Sequence, residues 1–116
     1  MFLTFTGKIW FYPKPVDFRK QLNGLVVLIA DTLEKDPGSG ELFIFRNKAG
    51  NKLKSVYFDG YCFWMLYCRF EKGRFQLPSS SDTVFSLHYD QLQQLLSGVD
   101  FMNEKQRKTL VFKHYY

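Results

Sequence analysis

Glu41-Leu-Phe-Ile-Phe-Arg46, Lys52-Leu-Lys-Ser-Val-Tyr-Phe58 and Tyr61-Cys-Phe-Trp-Met-Leu-Tyr-Cys-Arg-Phe70 follow one another, separated only by Asn47-Lys-Ala-Gly-Asn51 and Asp59-Gly60. Each run is rich in β-branched and aromatic residues, and each gap carries the Asn, Asp and Gly of tight turns. The stretch therefore predicts a meander of antiparallel strands. Alternation along the second run puts Lys52, Lys54, Val56 and Phe58 on one face and Leu53, Ser55 and Tyr57 on the other. The third run is bulky and apolar on both sides, which predicts a central strand covered on both faces. Its side bearing Tyr61, Phe63, Met65, Tyr67 and Arg69 is expected either to be packed by a terminal helix or to be offered to a partner.

Downstream, Glu71-Lys-Gly73 reads as a turn into a further strand, Arg74-Phe-Gln-Leu77, which Pro78 and the cluster Ser79-Ser-Ser-Asp82 bring to an end. Thr83 to Leu87 reads as one more short strand. Asp90 to Leu96 reads as a helix, with Gly98 placed to cap it. Upstream, Lys8 to Tyr12 is a β-prone run stopped by Pro13 and Pro15. Phe18, Leu22, Leu25, Val26, Ile29 and Leu33 then recur at the spacing of one helical face. Asp17 is positioned as the N-cap, and Asp36-Pro-Gly-Ser-Gly40 ends the pattern. Gly24 inside that helix marks either a close approach of another backbone or a tolerated glycine. The expected fold is α+β: a single domain with a mainly antiparallel sheet of five to six strands, a long helix on one face and a short C-terminal helix. The domain is expected to cover residues 1–103, with 104–116 as a basic tail.

At 116 residues with 46% hydrophobic content, the chain has material for one core and no more. No apolar run approaches the roughly 18 residues of a membrane span, and the first residues lack the pattern of a signal peptide, which points to the cytoplasm. Cys62 and Cys68 share a strand face and lie about 20 Å apart at ~3.3 Å per residue, too far for a disulfide, and are expected to be buried thiols. The two histidines, His88 and His114, belong to no ligand motif, so neither a metal nor another cofactor is expected.

The net charge is +5, and it is unevenly spread. Glu41 to Pro78 holds seven basic and three acidic residues. Residues 104–116 hold four basic and one acidic, whereas Ser79 to Asn103 holds three Asp and no base. Such clustering suits a polyanion such as DNA, because each neutralised phosphate releases a counterion. Arg46, Lys48, Lys52 and Lys54 flank one hairpin, Arg69, Lys72 and Arg74 flank another, and Arg19 and Lys20 precede the long helix against its dipole. These nine are the candidate nucleic-acid contacts, supplying position and salt-dependent affinity without reading bases. Solvated strand edges guarded by lysine are the alternative explanation. Tyr57, Tyr61 and Tyr67 are the candidate partner-binding residues.

Catalysis finds little footing. Asp17 and Asp59 read as cap and turn residues, Asp31 and Asp82 qualify by residue type alone, and Ser79 to Ser81 have no base motif beside them. Asp36-Pro-Gly-Ser-Gly40 lies between a helix and a strand and lacks the lysine of a phosphate-binding loop.

Taken in order, Ile9-Trp10, Pro15-Val-Asp-Phe-Arg-Lys20, Asn23-Gly-Leu25, Asp36-Pro-Gly-Ser-Gly40 and Leu42-Phe-Ile-Phe-Arg46 resemble the small TnpB accessory proteins of the bacterial insertion sequence sixty-six family. The resemblance continues through Lys52 to Gly60, Arg69-Phe-Glu-Lys-Gly-Arg-Phe75, Leu77-Pro78 and the closing Gln91-Leu to Phe101. The RNA-guided nucleases of the same name are unrelated. Where the family has Thr-Pro ahead of its last helix, His88-Tyr89 stand here, and the tail after Asn103 is an addition. The resemblance implies a non-catalytic accessory role in transposition, with element DNA and the separately encoded transposase as partners. A pure protein-interaction module that does not bind DNA is the competing reading. A small metal-dependent nuclease is the third.

Overall fold

The structure, a computed structural model, describes residues 7–77 and 83–98. Five strands and two helices follow in the order β1 (Ile9–Pro15), α1 (Leu22–Asp31), β2 (Leu42–Arg46), β3 (Lys52–Phe58), β4 (Phe63–Arg69), β5 (Phe85–Leu87) and α2 (Tyr89–Leu96). They form one sheet in the order β4-β3-β2-β1-β5, within the α+β class that the sequence predicts. The pairing is antiparallel except between β1 and β2, which run parallel because α1 carries the chain back across the sheet.

Each helix covers one face. On the first, Leu25 and Ile29 of α1 pack with Val16 and Leu33 on Phe43, Phe45 and Val56. On the other, Leu92 and Leu95 of α2, together with Phe75, close over Ile9, Phe11, Leu42, Ile44, Leu53, Tyr57 and Leu87. The period-two alternation of β2 and β3 separates the two sets, as pleated strands require.

Several expectations need correction. β1 does not stop at Pro13: it runs to Pro15 with a register shift after Tyr12. β5 pairs with β1 only as far as Phe11, and beyond that point nothing among the described residues pairs with this side of β1, where missing proline N–H groups cost no ladder bond. α1 begins at Leu22, not at Phe18, and its N-cap is Gln21. Asp17 does not cap it, because its carboxylate is taken by Arg19. Gly24 faces no foreign backbone, since a Cβ there would meet the Lys20 side chain at 3.3 Å. Residues Arg74 to Leu77 form no strand. The Phe75 amide bonds instead to the Gly50 carbonyl at 2.8 Å, drawing the segment across the sheet face with Phe75 buried.

That detour changes the position of β4. The long apolar run was expected at the centre of the sheet, yet β4 is the outermost strand, and nothing among the described residues pairs with its outer edge. Apolarity on both sides here reflects partial cover on each face, not burial: Phe63, Trp64 and Tyr67 remain exposed. Cys62 and Cys68 are likewise exposed free cysteines, against the expectation of buried thiols. The expected boundary at residue 103, the basic tail and the loop from Pro78 to Asp82 lie outside the described residues.

Candidate nucleic-acid and partner interface

The two basic hairpins meet at one end of the sheet. Lys52 stands directly across from Arg69 in the β3–β4 register, and the Phe70 amide donates to the Asn51 carbonyl at 2.7 Å. The turn between β2 and β3 is held by Asn47, whose side-chain oxygen accepts from the Asn51 and Lys52 amides at 3.1 and 3.0 Å. Gly50 completes it at φ 74°, a conformation that favours glycine. Val16 donates to the Arg46 carbonyl at 2.9 Å, which brings the segment from Val16 to Gln21 to the same end. Arg19, Lys20, Arg46, Lys48, Lys52, Lys54, Arg69, Lys72 and Arg74 are thereby gathered, with Asp17 and Glu71 the only carboxylates in those segments.

These nine cations are engaged to different degrees. Lys54 is 5% exposed, and its ammonium donates to the carbonyls of Phe18 at 2.9 Å and Lys20 at 2.7 Å, pinning the approach to α1 onto β3. Arg46 is partly buried: Nε donates to the Pro13 carbonyl at 2.7 Å and Nη1 to the Asn47 carbonyl at 3.3 Å, and desolvation lowers its pKa. Arg19 grips Asp17 through Nη2 at 2.6 Å and Nε at 3.0 Å. That guanidinium, helped by the Arg19 backbone N–H, holds the Asp17 carboxyl down at about 2. Arg69 reaches Glu71 at 3.1 Å, which raises the arginine's pKa. Lys20, Lys48, Lys72 and Arg74 are exposed, and Lys52 is half-buried.

The tyrosines separate. Tyr57 is 7% exposed and belongs to the core under α2, whereas Tyr67 is 50% exposed on β4, on the α1 side of the sheet. Tyr61 is 93% exposed, at the opposite end of β4 from the basic cluster. Trp64 is exposed on the face expected to be covered, and Phe63 is exposed on the face expected either to be packed by a helix or to be offered to a partner; neither is singled out by the sequence reading, although the bulk of both is plain in the run itself. The Trp64 indole N–H donates to Asp59 Oδ2 at 2.8 Å, and the Tyr61 and Cys62 amides donate to Asp59 Oδ1. These bonds, the indole first, lower the Asp59 pKa and account for the residue as a hairpin anchor. Among the described residues, no group of three or more His, Cys, Asp or Glu is arranged to hold a metal ion, and no helix is long and apolar enough to cross a membrane.

Such an arrangement defines a small α+β domain with a cationic end and an aromatic edge strand. The chain belongs to the family described as IS66 Orf2 like protein, which matches residues 7–106, and is thus an insertion-sequence accessory protein. It is similar to two uncharacterised proteins of Sinorhizobium fredii. One, y4jC, is 33% identical over 94 residues, covering 81% of this chain and 80% of the relative. The other, y4hO, is 29% identical over 99 residues, covering 85% and 86%. No solved structure matches the chain.

Proposed function

We propose that this accessory protein contributes to transposition by seating its cationic end on the phosphate backbone of DNA, alone or in complex with the element's transposase. The observation that carries the reading is that three separate segments, holding nine basic residues against two carboxylates, meet at one end of the sheet, with Lys20, Lys48, Lys72 and Arg74 exposed there. A duplex presents a negative charge about every 1.7 Å along its axis, so a cluster of this density gains affinity by counterion release without reading sequence. The test is a duplex titration across a salt series, with Lys48, Lys72 and Arg74 changed to Ala; these exposed side chains make no hydrogen bond or ion pair among the described residues. Wild type should lose affinity steeply as salt rises, with the slope falling by about one for each phosphate contact removed. A flat salt response in wild type refutes the reading.

Exposure of Phe63, Trp64 and Tyr67 on an edge strand favours a second reading, in which β4 docks the transposase and DNA contact is indirect. Co-purification with the transposase should then survive the basic substitutions and fail in Tyr67→Ala or Tyr61→Ala. Retention of the complex in both tyrosine variants removes this surface.

A further inference from the structure

Beside the basic end lies a groove of about 320 Å³, lined by Phe18, Gln21, Lys52, Lys54, Met65 and Tyr67. Lys54 forms its floor. An ammonium has three N–H donors; two are used on the Phe18 and Lys20 carbonyls, and no carboxylate is recorded against this buried charge among the described residues. Two carbonyl dipoles and the face of the Phe18 ring, 5.0 Å from the ammonium, compensate this buried cation without a full counter-charge, an unusual arrangement since removal from water is costly. Beside the groove, Lys52 of its lining faces Arg69 across the strands, and because Arg69 is paired with Glu71 at 3.1 Å the Lys52 ammonium is the charge left without an ion pair there among the described residues. Tyr67, opposite Lys54 in the register, and the exposed amide of Gln21 add polar groups, and Phe18 and Met65 add an apolar side suited to a sugar.

We propose that this groove is a binding site for a single backbone phosphate of nucleic acid, held by Lys52 above the Lys54 ammonium with Arg69 adjoining from the paired strand, and with the neighbouring sugar against Phe18 and Met65. The site rests on the DNA-contact reading and gives it a fixed point. One anion here meets both cations of the groove at once, because it pairs the Lys52 ammonium and supplies a full counter-charge to the buried Lys54. Lys48, Lys72 and Arg74 then add salt-dependent affinity around a phosphate whose position the groove sets.

The test uses the full chain with Lys52→Gln and Arg69→Gln, leaving Lys54 intact because it also holds the fold. Wild type and both variants are titrated with duplex DNA across a salt series and, separately, with inorganic phosphate at constant ionic strength, following the backbone amide signals of Gln21 and Lys52. Each substitution should lower the salt slope for duplex by about one, equally on unrelated sequences. The thermal midpoint of the unliganded Lys52→Gln protein should hold, because the ammonium removed forms no ion pair among the described residues. Duplex binding in wild type with slopes unchanged in both variants overturns the groove and leaves the DNA reading standing. Failure of wild type to bind duplex, while inorganic phosphate shifts the Gln21 signal, overturns both the DNA reading and the nucleic-acid assignment, leaving a free-anion site. A fall in the thermal midpoint of both variants, with no change in slope, shows structural cations only and overturns the proposal.

Discussion

Gly98 closes α2 at φ 78°, and a Cβ built there would lie 2.6 Å from Cζ of Phe70, a ring packed on Phe75 with centroids 5.0 Å apart. Gly40 has the same backbone hand, φ 85°, with nothing within 4 Å of its Cβ position. Alanine at Gly40 therefore incurs only the left-handed conformational cost, about 1 kcal/mol. Alanine at Gly98 incurs that cost plus overpacking against a stiff ring, which adds about 1–3 kcal/mol. For a domain of this size, 1 kcal/mol moves the thermal midpoint by about 4–8 °C, so Gly98→Ala should fall at least twice as far as Gly40→Ala. Thermal unfolding followed by circular dichroism compares the two directly. Repeating the pair in a Phe70→Leu background should shrink the difference, because the obstructing atom is gone. Equal shifts in the original background would refute the argument that α2 is seated by the close contact of its last turn with Phe70.

Lys54→Met keeps the aliphatic volume of a buried side chain but removes the bonds to the Phe18 and Lys20 carbonyls. A loss of about 1–3 kcal/mol is expected from urea midpoints, and an unchanged or higher midpoint rejects the pinning role. The Asp17 pKa is depressed, so its contribution to stability is full above the usual carboxylate value of 3.8 and is lost as pH falls through about 2. A carboxyl titration followed by carbon NMR should place its midpoint near 2 in wild type and return it toward 3.8 in Arg19→Ala; the same midpoint in both proteins excludes the arginine as cause. Asp59→Ala removes the acceptor of the Tyr61 and Cys62 amides and of the Trp64 indole, so those amides should exchange with solvent faster while those of β2 keep their protection. Unaltered exchange at Tyr61 and Cys62 dismisses Asp59 as the hairpin anchor.

β3 spans Lys52–Phe58 as the sequence predicts because turn residues bound it on both sides, although residues on both of its faces are buried. α2 begins one residue earlier than predicted: His88 fills the N-cap position and its amide donates to Gln91 Oε1 at 2.8 Å, so the departure from the family's Thr-Pro costs the helix nothing in extent. What local pattern could not show was depth and destination. Alternation correctly puts Lys54 on a face with Val56 and Phe58, but its ammonium is satisfied by carbonyls more than 30 residues away in sequence. Tyr57 is polar-tipped and reads as surface until α2 folds over it. β4 carries the signature of a covered strand, and only the course of residues 71–77 leaves it at the edge.

The distinction between anchored and loose cations decides how the basic end can work. Arg46 and Lys54 are tied to carbonyls, and Arg19 and Arg69 to single carboxylates, so these four hold defined positions. Lys20, Lys48, Lys72 and Arg74 form no ion pair among the described residues and supply field rather than shape, Lys20 adding its charge beside Asp17. A phosphate docked against anchored groups inherits their geometry, whereas one attracted by long, hydrated lysines does not. Substitutions should therefore divide into two groups. Removing a cation tied to backbone carbonyls, such as Lys54, should lower fold stability at any salt concentration, while removing a loose one such as Lys48 should change only the salt slope of DNA binding. A Lys48→Ala protein that unfolds more easily, or a Lys54→Met protein that differs from wild type only in its salt slope, contradicts that division.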